Sequence, residues 1–509
     1  MLEGWPSGRR RTTGNRVGSK SPQGFESLPF RHFFIPNAVF LGVLLLDLSV
    51  RSQFFNFDGI ACAVAVELSD FKHLVHGNHL AYGLLSWLFD GLWRLLGYHG
   101  RAILPLQVLS SLLGAAGAAV FASILRRAGR SEREALLGAA ALAVCQAWWF
   151  WSLEAQVYML GALFAALAAR EVLRESPRPA ASGLWLALAV LGHVGHVMAL
   201  PALAWGLTRA KGRRALLPAA SVFAATVLAA YAAAGLLAVR PQNPEELRLW
   251  LLGSAALGGG RSFLWHSAPM VHALSSWSLM TLRIFCEFVG RQGPAWAAGM
   301  LLAAAPLVAA CRGALLGGRP ARFWLMWLAG YAALYLVWEP FTIVYRISDL
   351  LGFGALAWLG LDGLSARRRT TLLSVWIATA GIFNFTYVIL PASSTASNED
   401  LGESRLVAEL TPENAWVLAW GRGEIYFPYF ARRKPLSLRY VPNETALAER
   451  LDALAKRGEQ VYATSRTLDL SGVRTALERH GLEKISEVEG LTLYIIKGRA
   501  SRKAAAGRN

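Results

Sequence analysis

Apolar stretches of about 17 to 25 residues alternate with short polar segments from residue 34 to residue 391. A helix of this length crosses the hydrocarbon core of a bilayer, which is roughly 30 Å thick. The pattern therefore predicts a mainly α, polytopic membrane protein with about 11 spans, all within a transmembrane domain of residues 34–391. External loops are expected at residues 51–101 and 240–292.

Two segments of this domain depart from simple spanning helices. Residues 79–97 contain Asp90 and Arg94 among apolar residues, and we expect them to form a helix that lies in the membrane interface. Residues 183–208 are flanked by basic residues at both ends. They are therefore predicted to form a hairpin of two short helices that turns at residues 193–196.

The chain becomes polar from about residue 392. Short β-type patterns are followed by helix-type patterns, which predicts a small extracytoplasmic α/β domain over residues 392–498, ahead of a basic tail at 499–509. The predicted strands are 416–420, 461–463 and 491–496, and the predicted helices are 445–457 and 471–480.

The first 33 residues are basic and show no hydrophobic periodicity and no signal-peptide pattern. We expect residues 1–33 to result from a misassigned start, with the true start near Val39 or Val43.

The charge of the chain fits a membrane topology better than a nucleic-acid partner. Only 17% of the residues are charged, against roughly 25% in soluble domains. The net charge of +18 is concentrated in short segments beside apolar runs, as the positive-inside rule requires. We therefore expect membrane lipids and no nucleic acid as partners, and a multi-pass membrane protein with an extracytoplasmic C-terminal domain. The location taken as the working hypothesis is a bacterial inner membrane, with the C-terminal domain in the periplasm. The basic segments are 126–133, 170–178, 209–214, 312–322 and 367–369.

The four cysteines show neither a CxxC motif nor the spacing of a metal site. Cys62 and Cys286 are both expected outside the cytoplasm, where they could form a disulfide. The other interpretation is that all four are small, unpaired core residues.

Asp58 and two histidines follow the first predicted span. A carboxylate placed beside a short amphipathic helix could deprotonate an acceptor hydroxyl, but Asp58 could equally be the N-cap of that helix. His76 and His79 are one helical turn apart, which suits a metal ion or a hydrogen bond to a sugar or phosphate, with Tyr82 nearby. The sequence does not identify a third ligand, so both alternatives remain: a bound divalent metal and a hydrogen bond to a sugar or phosphate.

Polar residues recur at two further turns on the same predicted side. Glu154, Gln156 and Tyr158 follow a tryptophan-rich segment that an interfacial aromatic belt explains, but a belt does not explain these three polar residues. Polar groups beside lipid are costly, so they are predicted to line a pocket. His193 and His196 lie at the tip of the predicted hairpin, where the backbone needs a polar cleft.

Two arginines are candidates for binding an anion. Arg261 lies in the external loop 240–292, and Arg346 lies near the outer end of a predicted span. An ionisable residue within a span is a functional-site hypothesis. The alternative for Arg346 is an ion pair with Asp349, three residues further on.

Taken in order, these motifs resemble the GT-C superfamily of membrane glycosyltransferases, which includes protein O-mannosyltransferases and aminoarabinose transferases. The resemblance rests on an early span, an external acid, a His-x-x-Tyr element, an acidic turn, a short hairpin, a large middle loop and a C-terminal domain. The corresponding features here are Asp58, His79–Tyr82, WFWSLEAQVY at 149–158, LGHVGH at 191–196, the loop 240–292 and residues 392–498.

The resemblance implies an inverting transfer of a sugar from a polyprenyl-phosphate donor to a hydroxyl of a lipid, glycan or protein acceptor on the extracytoplasmic face. Asp58 would then be the general base, and Arg346 with an arginine of the 240–292 loop would hold the donor phosphate. Two alternatives are a transporter or flippase of a lipid-linked glycan, and a GT-C-fold protein that binds such a glycan without catalysis. Gln156, where relatives often have Glu, leaves the last alternative open.

Overall fold

The computed structural model describes residues 28–252, 269–441, 443–478, 481–488 and 490–497. Its first part is helical throughout. The helices are α1 (Leu28–Ser49), α2 (Phe57–Glu67), α3 (Phe71–Leu74), α4 (Leu80–Leu95), α5 (Ile103–Arg127), α6 (Glu132–Val144), α7 (Gln146–Leu153), α8 (Tyr158–Val172), α9 (Pro179–Gly192), α10 (Leu200–Lys211), α11 (Leu216–Ala234), α12 (Pro244–Leu252), α13 (Met270–Arg283), α14 (Gly293–Leu316), α15 (Gly318–Val337), α16 (Asp349–Gly360), α17 (Ala366–Asn384) and α18 (Leu390–Ala392).

The C-terminal region, residues 392–497, contains short helices and a sheet. Its elements are α19 (Glu399–Leu410), β1 (Trp416–Ala419), α20 (Gly423–Tyr426), β2 (Lys434–Ser437), α21 (Glu444–Lys456), β3 (Val461–Thr464), α22 (Ser465–Ser471), α23 (Arg474–Glu478), β4 (Leu482–Val488) and β5 (Leu491–Ile496). Turns of 3-10 helix occur at Val194–Ala199, Arg213–Ala215, Ile343–Ser348, Thr395–Ser397 and Leu438–Tyr440, and π turns at Gly235–Val239, Phe385–Ile389 and Phe427–Ala431.

Five helical segments among the described residues are long and apolar enough to cross a membrane. The helices α6 and α7 form a sixth if the two are counted as one span bent by 68°. Two further apolar helical segments, Ile35–Ser49 and Pro179–Gly192, are shorter than a full span, so the predicted total of about 11 spans stays a prediction. The five segments are Ile103–Arg127, Arg213–Val239, Gly293–Leu316, Ile343–Gly360 and Ala366–Ala392.

The bend between α6 and α7 occurs at Cys145, without a proline or glycine at that position. The backbone N–H groups of Gln146 and Ala147 donate instead to Phe285 O and Ile284 O, each at 3.0 Å. The Asn384 side-chain nitrogen donates to Val144 O at 2.9 Å. A break in a membrane helix is tolerated when neighbouring protein satisfies the freed backbone groups, as it does here.

All four cysteines are free, so the interpretation with a Cys62–Cys286 disulfide is wrong.

The bundle packs around large aromatic side chains and close helix contacts. Trp148 and Trp327 are among the largest fully buried side chains. A Cβ atom at Gly313 would lie 1.8 Å from Leu356 O, and one at Gly360 would lie 1.9 Å from Ala309 O. Glycine at these two positions lets α14 and α16 pack backbone to backbone, as small residues do in membrane helix pairs.

The predicted external loops contain helices of their own. Residues 51–101 form α2, α3 and α4, and residues 240–292 include α12 and α13. In α4 the Arg94 side chain donates to Asp90 at 3.1 Å, which pairs the two charges that set this helix apart from the apolar spans. The predicted hairpin at 183–208 corresponds to α9 and α10, which flank the turn Val194–Ala199.

The sheet has the strand order β2-β1-β3-β5-β4. β1 pairs in parallel with β2 and β3, whereas β5 pairs antiparallel with β3 and β4. The strands predicted at 416–420, 461–463 and 491–496 correspond to β1, β3 and β5, while β2 and β4 were not predicted. The prediction that residues 392–498 form a separate domain stays a prediction.

The basic segments meet at the end of α5 remote from the sheet. α5 has 25 residues and so spans about 37 Å at 1.5 Å per residue. Near its C-terminus Arg130 pairs with Asp362, and Arg369 pairs with Glu134 at 2.6 Å. The α5 N-terminus lies at the sheet end, where the Ile103 N–H donates to the Tyr429 hydroxyl at 3.2 Å. Basic turns and sheet therefore lie at opposite ends of the bundle.

Candidate active site

A cavity of about 780 Å³ lies at the sheet end of the bundle, between α2, the α3–α4 connection, the turn after α9 and the C-terminal region. The structure brings five of the predicted site residues together on its wall. These are Asp58, His76, His79, Tyr158 and His193. The wall also contains residues that the sequence pattern did not indicate, among them Arg101, Trp338, Tyr345 and Tyr429.

Asp58 is the second residue of α2. The N-cap of this helix is Asn56, whose side-chain oxygen accepts the Asp58 N–H at 3.1 Å. The interpretation of Asp58 as the N-cap is therefore wrong, and its carboxylate remains available to the cavity. No Lys or Arg in the described part of the chain forms an ion pair with it. The side chain is open to solvent in the cavity, yet the surrounding protein removes much of its hydration and raises its pKa.

α2 is fixed by a very close contact with the turn after α7. A Cβ atom at Gly59 would lie only 2.4 Å from Ala155 O. Glycine is therefore the residue that allows α2 to rest on this turn. Since Asp58 precedes Gly59 directly, the contact also sets the position of the carboxylate.

Three histidines of the cavity wall are neutral at pH 7. The rings of His76 and His79 stack at 4.3 Å, and burial lowers the pKa of both, aided by the neighbouring histidines. Burial likewise lowers the pKa of His193 to about 3. In His76 and His193 the Nδ1 atom accepts a backbone N–H, at 3.1 and 3.2 Å respectively. The proton of both rings therefore lies on Nε2, which can donate a hydrogen bond.

The donor set does not fit a metal site. In the described residues there is no group of three or more His, Cys, Asp and Glu side chains that could hold a metal ion. His76 and His79 are close enough to share a ligand, but neither a carboxylate nor a third nitrogen completes the set.

Aromatic rings cover one wall of the cavity. Tyr345 lies 5.5 Å from Tyr158, 5.7 Å from His193 and 5.7 Å from Trp338, measured between ring centroids. Such a wall gives a rigid, partly apolar surface with hydroxyl groups at its edge. Tyr345 was not predicted to line the site. Its position directly before Arg346, a residue that was predicted, is the sequence signal that could have indicated it.

The rim of the cavity is a three-residue contact between the bundle and the C-terminal region. Arg101 pairs with Glu67 at 2.8 Å, and its guanidinium lies 4.1 Å from the centroid of the Tyr429 ring. The Tyr429 hydroxyl donates to Glu67 at 3.0 Å. Arg101 is the single Lys or Arg on the cavity wall within the described ranges.

Three predicted pocket residues lie behind the wall and do not line the cavity. The Glu154 carboxylate accepts hydrogen bonds from the Ser52 hydroxyl and from the Asn56 N–H, the latter at 3.0 Å. Burial raises its pKa to about 7. The Gln156 N–H donates to the Ser110 hydroxyl at 3.2 Å, and Tyr82 is fully buried. Substrate-binding roles for Tyr82, Glu154 and Gln156 stay predictions.

His196 and Arg346 are also buried away from the cavity. His196 Nδ1 lies 2.8 Å from the Tyr331 hydroxyl. Arg346 pairs with Asp349 as the alternative interpretation proposed, and it also donates to Thr281 at 2.9 Å and to Trp277 O at 3.1 Å. Arg261, the other predicted arginine, lies outside the described residues.

Comparison with known proteins shows which fold this is. No protein-family profile and no curated protein sequence matches the chain. Among solved structures, ArnT from Cupriavidus metallidurans in the apo state is 13% identical, with a TM-score of 0.63 over 92% of this chain and 98% of that one. The same protein bound to undecaprenyl phosphate gives a TM-score of 0.61 at 13% identity, over 91% of this chain and 97% of that one. The chain has the GT-C fold.

A second GT-C structure is also similar. The oligosaccharyltransferase from Archaeoglobus fulgidus, in complex with zinc and sulfate, is 14% identical, with a TM-score of 0.53 over 90% of this chain and 73% of that one. Both similar proteins are GT-C membrane glycosyltransferases. The GT-C fold, together with the apolar helices, makes this chain a multi-pass membrane protein.

Proposed function

We propose that this GT-C protein is a glycosyltransferase that moves a sugar from a polyprenyl-phosphate donor to an acceptor hydroxyl, with Asp58 as the general base. The observation that carries the proposal is the position of Asp58 on the cavity wall, without a cationic partner among the described residues and with a raised pKa. A carboxylate of raised pKa in a cleft is suited to accept a proton. The fold supports the same class of reaction.

In the proposed reaction Asp58 removes the proton from the acceptor hydroxyl as the oxygen attacks the anomeric carbon. The bond between this carbon and the phosphate oxygen breaks, and the polyprenyl phosphate leaves with the electron pair. One displacement without a sugar–enzyme intermediate inverts the anomeric centre. Neutral His76 and His193 can donate hydrogen bonds through Nε2, which suits sugar hydroxyls or phosphate oxygens.

The donor phosphate is expected to be held by a cationic side chain other than Arg346. The guanidinium nitrogens of Arg346 already donate to Asp349, Thr281 and Trp277 O. We therefore assign Arg346 a role in stabilising the bundle and not in binding the phosphate. Arg261 of the 240–292 loop therefore remains our candidate for the donor phosphate. Arginine suits this role through two-point, always-charged contacts.

The proposed setting is the extracytoplasmic face of a bacterial inner membrane. The basic turns gather at the end of the bundle opposite the sheet, and such turns are retained in the cytoplasm. The cavity and the C-terminal region would then lie on the periplasmic side. The acceptor is a hydroxyl of a lipid, a glycan or a protein.

The test is sugar release from a panel of labelled polyprenyl-phosphate sugars by the purified full-length protein. Slow transfer to water needs no known acceptor. We expect release from at least one donor, loss of release in Asp58→Asn, and unchanged release in Asp469→Asn, an exposed aspartate paired with Arg474 in the C-terminal region. Equal release by Asp58→Asn would refute the assigned base. Donor binding without release would favour a non-catalytic binding protein, and neither binding nor release would favour a transporter.

A further inference from the structure

The loop that leads into α2, residues 52–56, is strained. Phe55 has a φ of 47°, in the left-handed region that residues other than glycine rarely adopt. Its ring is buried and packs 5.1 Å from the Phe430 ring. Asp58 follows Phe55 by three residues, so the backbone of this loop determines where the carboxylate enters the cavity.

The helix bundle holds the two ends of the loop. Glu154 accepts hydrogen bonds from the Ser52 hydroxyl and from the Asn56 N–H, the latter at 3.0 Å. The Gln107 side-chain nitrogen donates to Ser52 O at 2.9 Å. These contacts fix residues 52 and 56 but leave the carbonyl groups between them without a donor from the bundle in the described structure.

The C-terminal region holds the middle of the loop. The Tyr426 hydroxyl lies 2.8 Å from Phe54 O and 2.5 Å from Phe55 O. The Asn398 side-chain nitrogen donates to Gln53 O at 2.7 Å and to Phe54 O at 3.0 Å. Each carbonyl from residue 53 to residue 55 therefore has a donor from the C-terminal region.

We propose that Tyr426 and Asn398 are positioning residues for Asp58, and that through them the C-terminal region sets the place of the base in the cavity. This inference rests on the proposed function, in which Asp58 accepts the proton. A left-handed non-glycine residue persists only where its surroundings over-determine it. Without these donors Phe55 relaxes towards the extended region, and the first turn of α2 moves with it.

A role in packing alone predicts a different result. Tyr426 is fully buried in a cluster that also contains Phe55, Ile60, Leu401 and Tyr429. If the ring only filled this cluster, removal of the hydroxyl would leave catalysis unchanged. The Tyr426→Phe variant separates the two roles because it keeps the ring and removes the hydrogen bond.

The matched control is Tyr462→Phe. Tyr462 is a buried residue of β3 whose hydroxyl donates to Gln460 at 2.6 Å, so the control loses one tyrosine hydrogen bond in the same region but away from the loop. The full-length protein is assayed with the donor found in the release panel. We expect Tyr426→Phe to lower kcat roughly 10-fold with an unchanged donor KM, since the displacement affects the reacting geometry and not donor binding. Tyr462→Phe should keep both constants.

Asn398→Ser is the second variant, and it decides the question if Tyr426→Phe does not fold. Asn398 is the N-cap of α19 and accepts the Leu401 N–H at 3.0 Å. Serine can still cap the helix but has no amide nitrogen to reach Gln53 O and Phe54 O. The same loss of kcat in this variant supports the inference. Wild-type kcat in both variants, while Asp58→Asn is inactive, overturns the inference and leaves the function standing. Activity in Asp58→Asn overturns the function itself.

Discussion

The contact between Gly59 and Ala155 offers the sharpest test of how Asp58, the proposed base, is placed. In Gly59→Ala the new Cβ atom would lie 2.4 Å from Ala155 O and 3.1 Å from Ala155 Cβ. Real Cβ contacts below 3.0 Å are essentially never seen, so the two backbones must separate by at least the difference between 3.0 and 2.4 Å, which is 0.6 Å. Neither backbone can rotate away as a flexible side chain could. α2 must therefore move, and Asp58 moves with it.

The expected size of the effect follows from this displacement. Misplacing a reacting group by about 1 Å can cost roughly 10²-fold in rate, so we expect Gly59→Ala to lower kcat by roughly 10- to 100-fold. This loss corresponds to about 1.4 to 2.7 kcal/mol of activation free energy. Overpacking in a tight contact also destabilises, typically by about 1 to 3 kcal/mol, so a modest fall in the melting temperature should accompany the loss of rate.

The assay is sugar release by Gly59→Ala, together with thermal unfolding of the same sample in detergent. Gly91→Ala is the control, since a Cβ at this α4 position has no atom within 4 Å. It should keep the wild-type rate and gain about 0.5 to 1 kcal/mol in stability, as alanine replaces glycine within a helix. A folded Gly59→Ala protein with the wild-type rate would refute the reasoning that this contact sets the position of the proposed base, Asp58.

Two further predictions concern titration and buried charge. Because proton acceptance requires an ionised carboxylate and burial raises the pKa of Asp58, kcat/KM should rise with pH through an apparent pKa above the usual value of about 3.9. A pH–rate profile that stays flat down to pH 4 would contradict this. Asp349→Asn should lower the unfolding free energy by about 3 to 5 kcal/mol, since it leaves Arg346 buried without its charged partner. An unchanged thermal transition of that variant would mean that the ion pair does not stabilise the bundle.

Hydrophobic periodicity predicted much of the fold because membrane helices must be long and apolar. It predicted a mainly α chain with several spanning helices, and it predicted the strands that correspond to β1, β3 and β5. It did not predict the bend at Cys145. The groups that satisfy this break come from Ile284, Phe285 and Asn384, more than 130 residues away, and no local pattern near Cys145 contains them.

For the site, sequence reasoning selected turns that the structure places at or beside the cavity, but it could not resolve which face of each turn meets the cavity. Glu154 and Tyr158 are four residues apart in one motif, yet Tyr158 lines the cavity while Glu154 binds the loop before α2 from behind. Tertiary packing causes this difference. Because Gly59 lets α2 rest directly on Ala155, the turn between Glu154 and Tyr158 presents one side to α2 and the other to the cavity. Tyr429 and Arg101 were missed for the same reason, since their contact joins positions 328 residues apart in the sequence. Spacing within a motif therefore identifies a polar turn in a membrane protein, while the glycine that allows close packing decides which of its residues can reach the cavity.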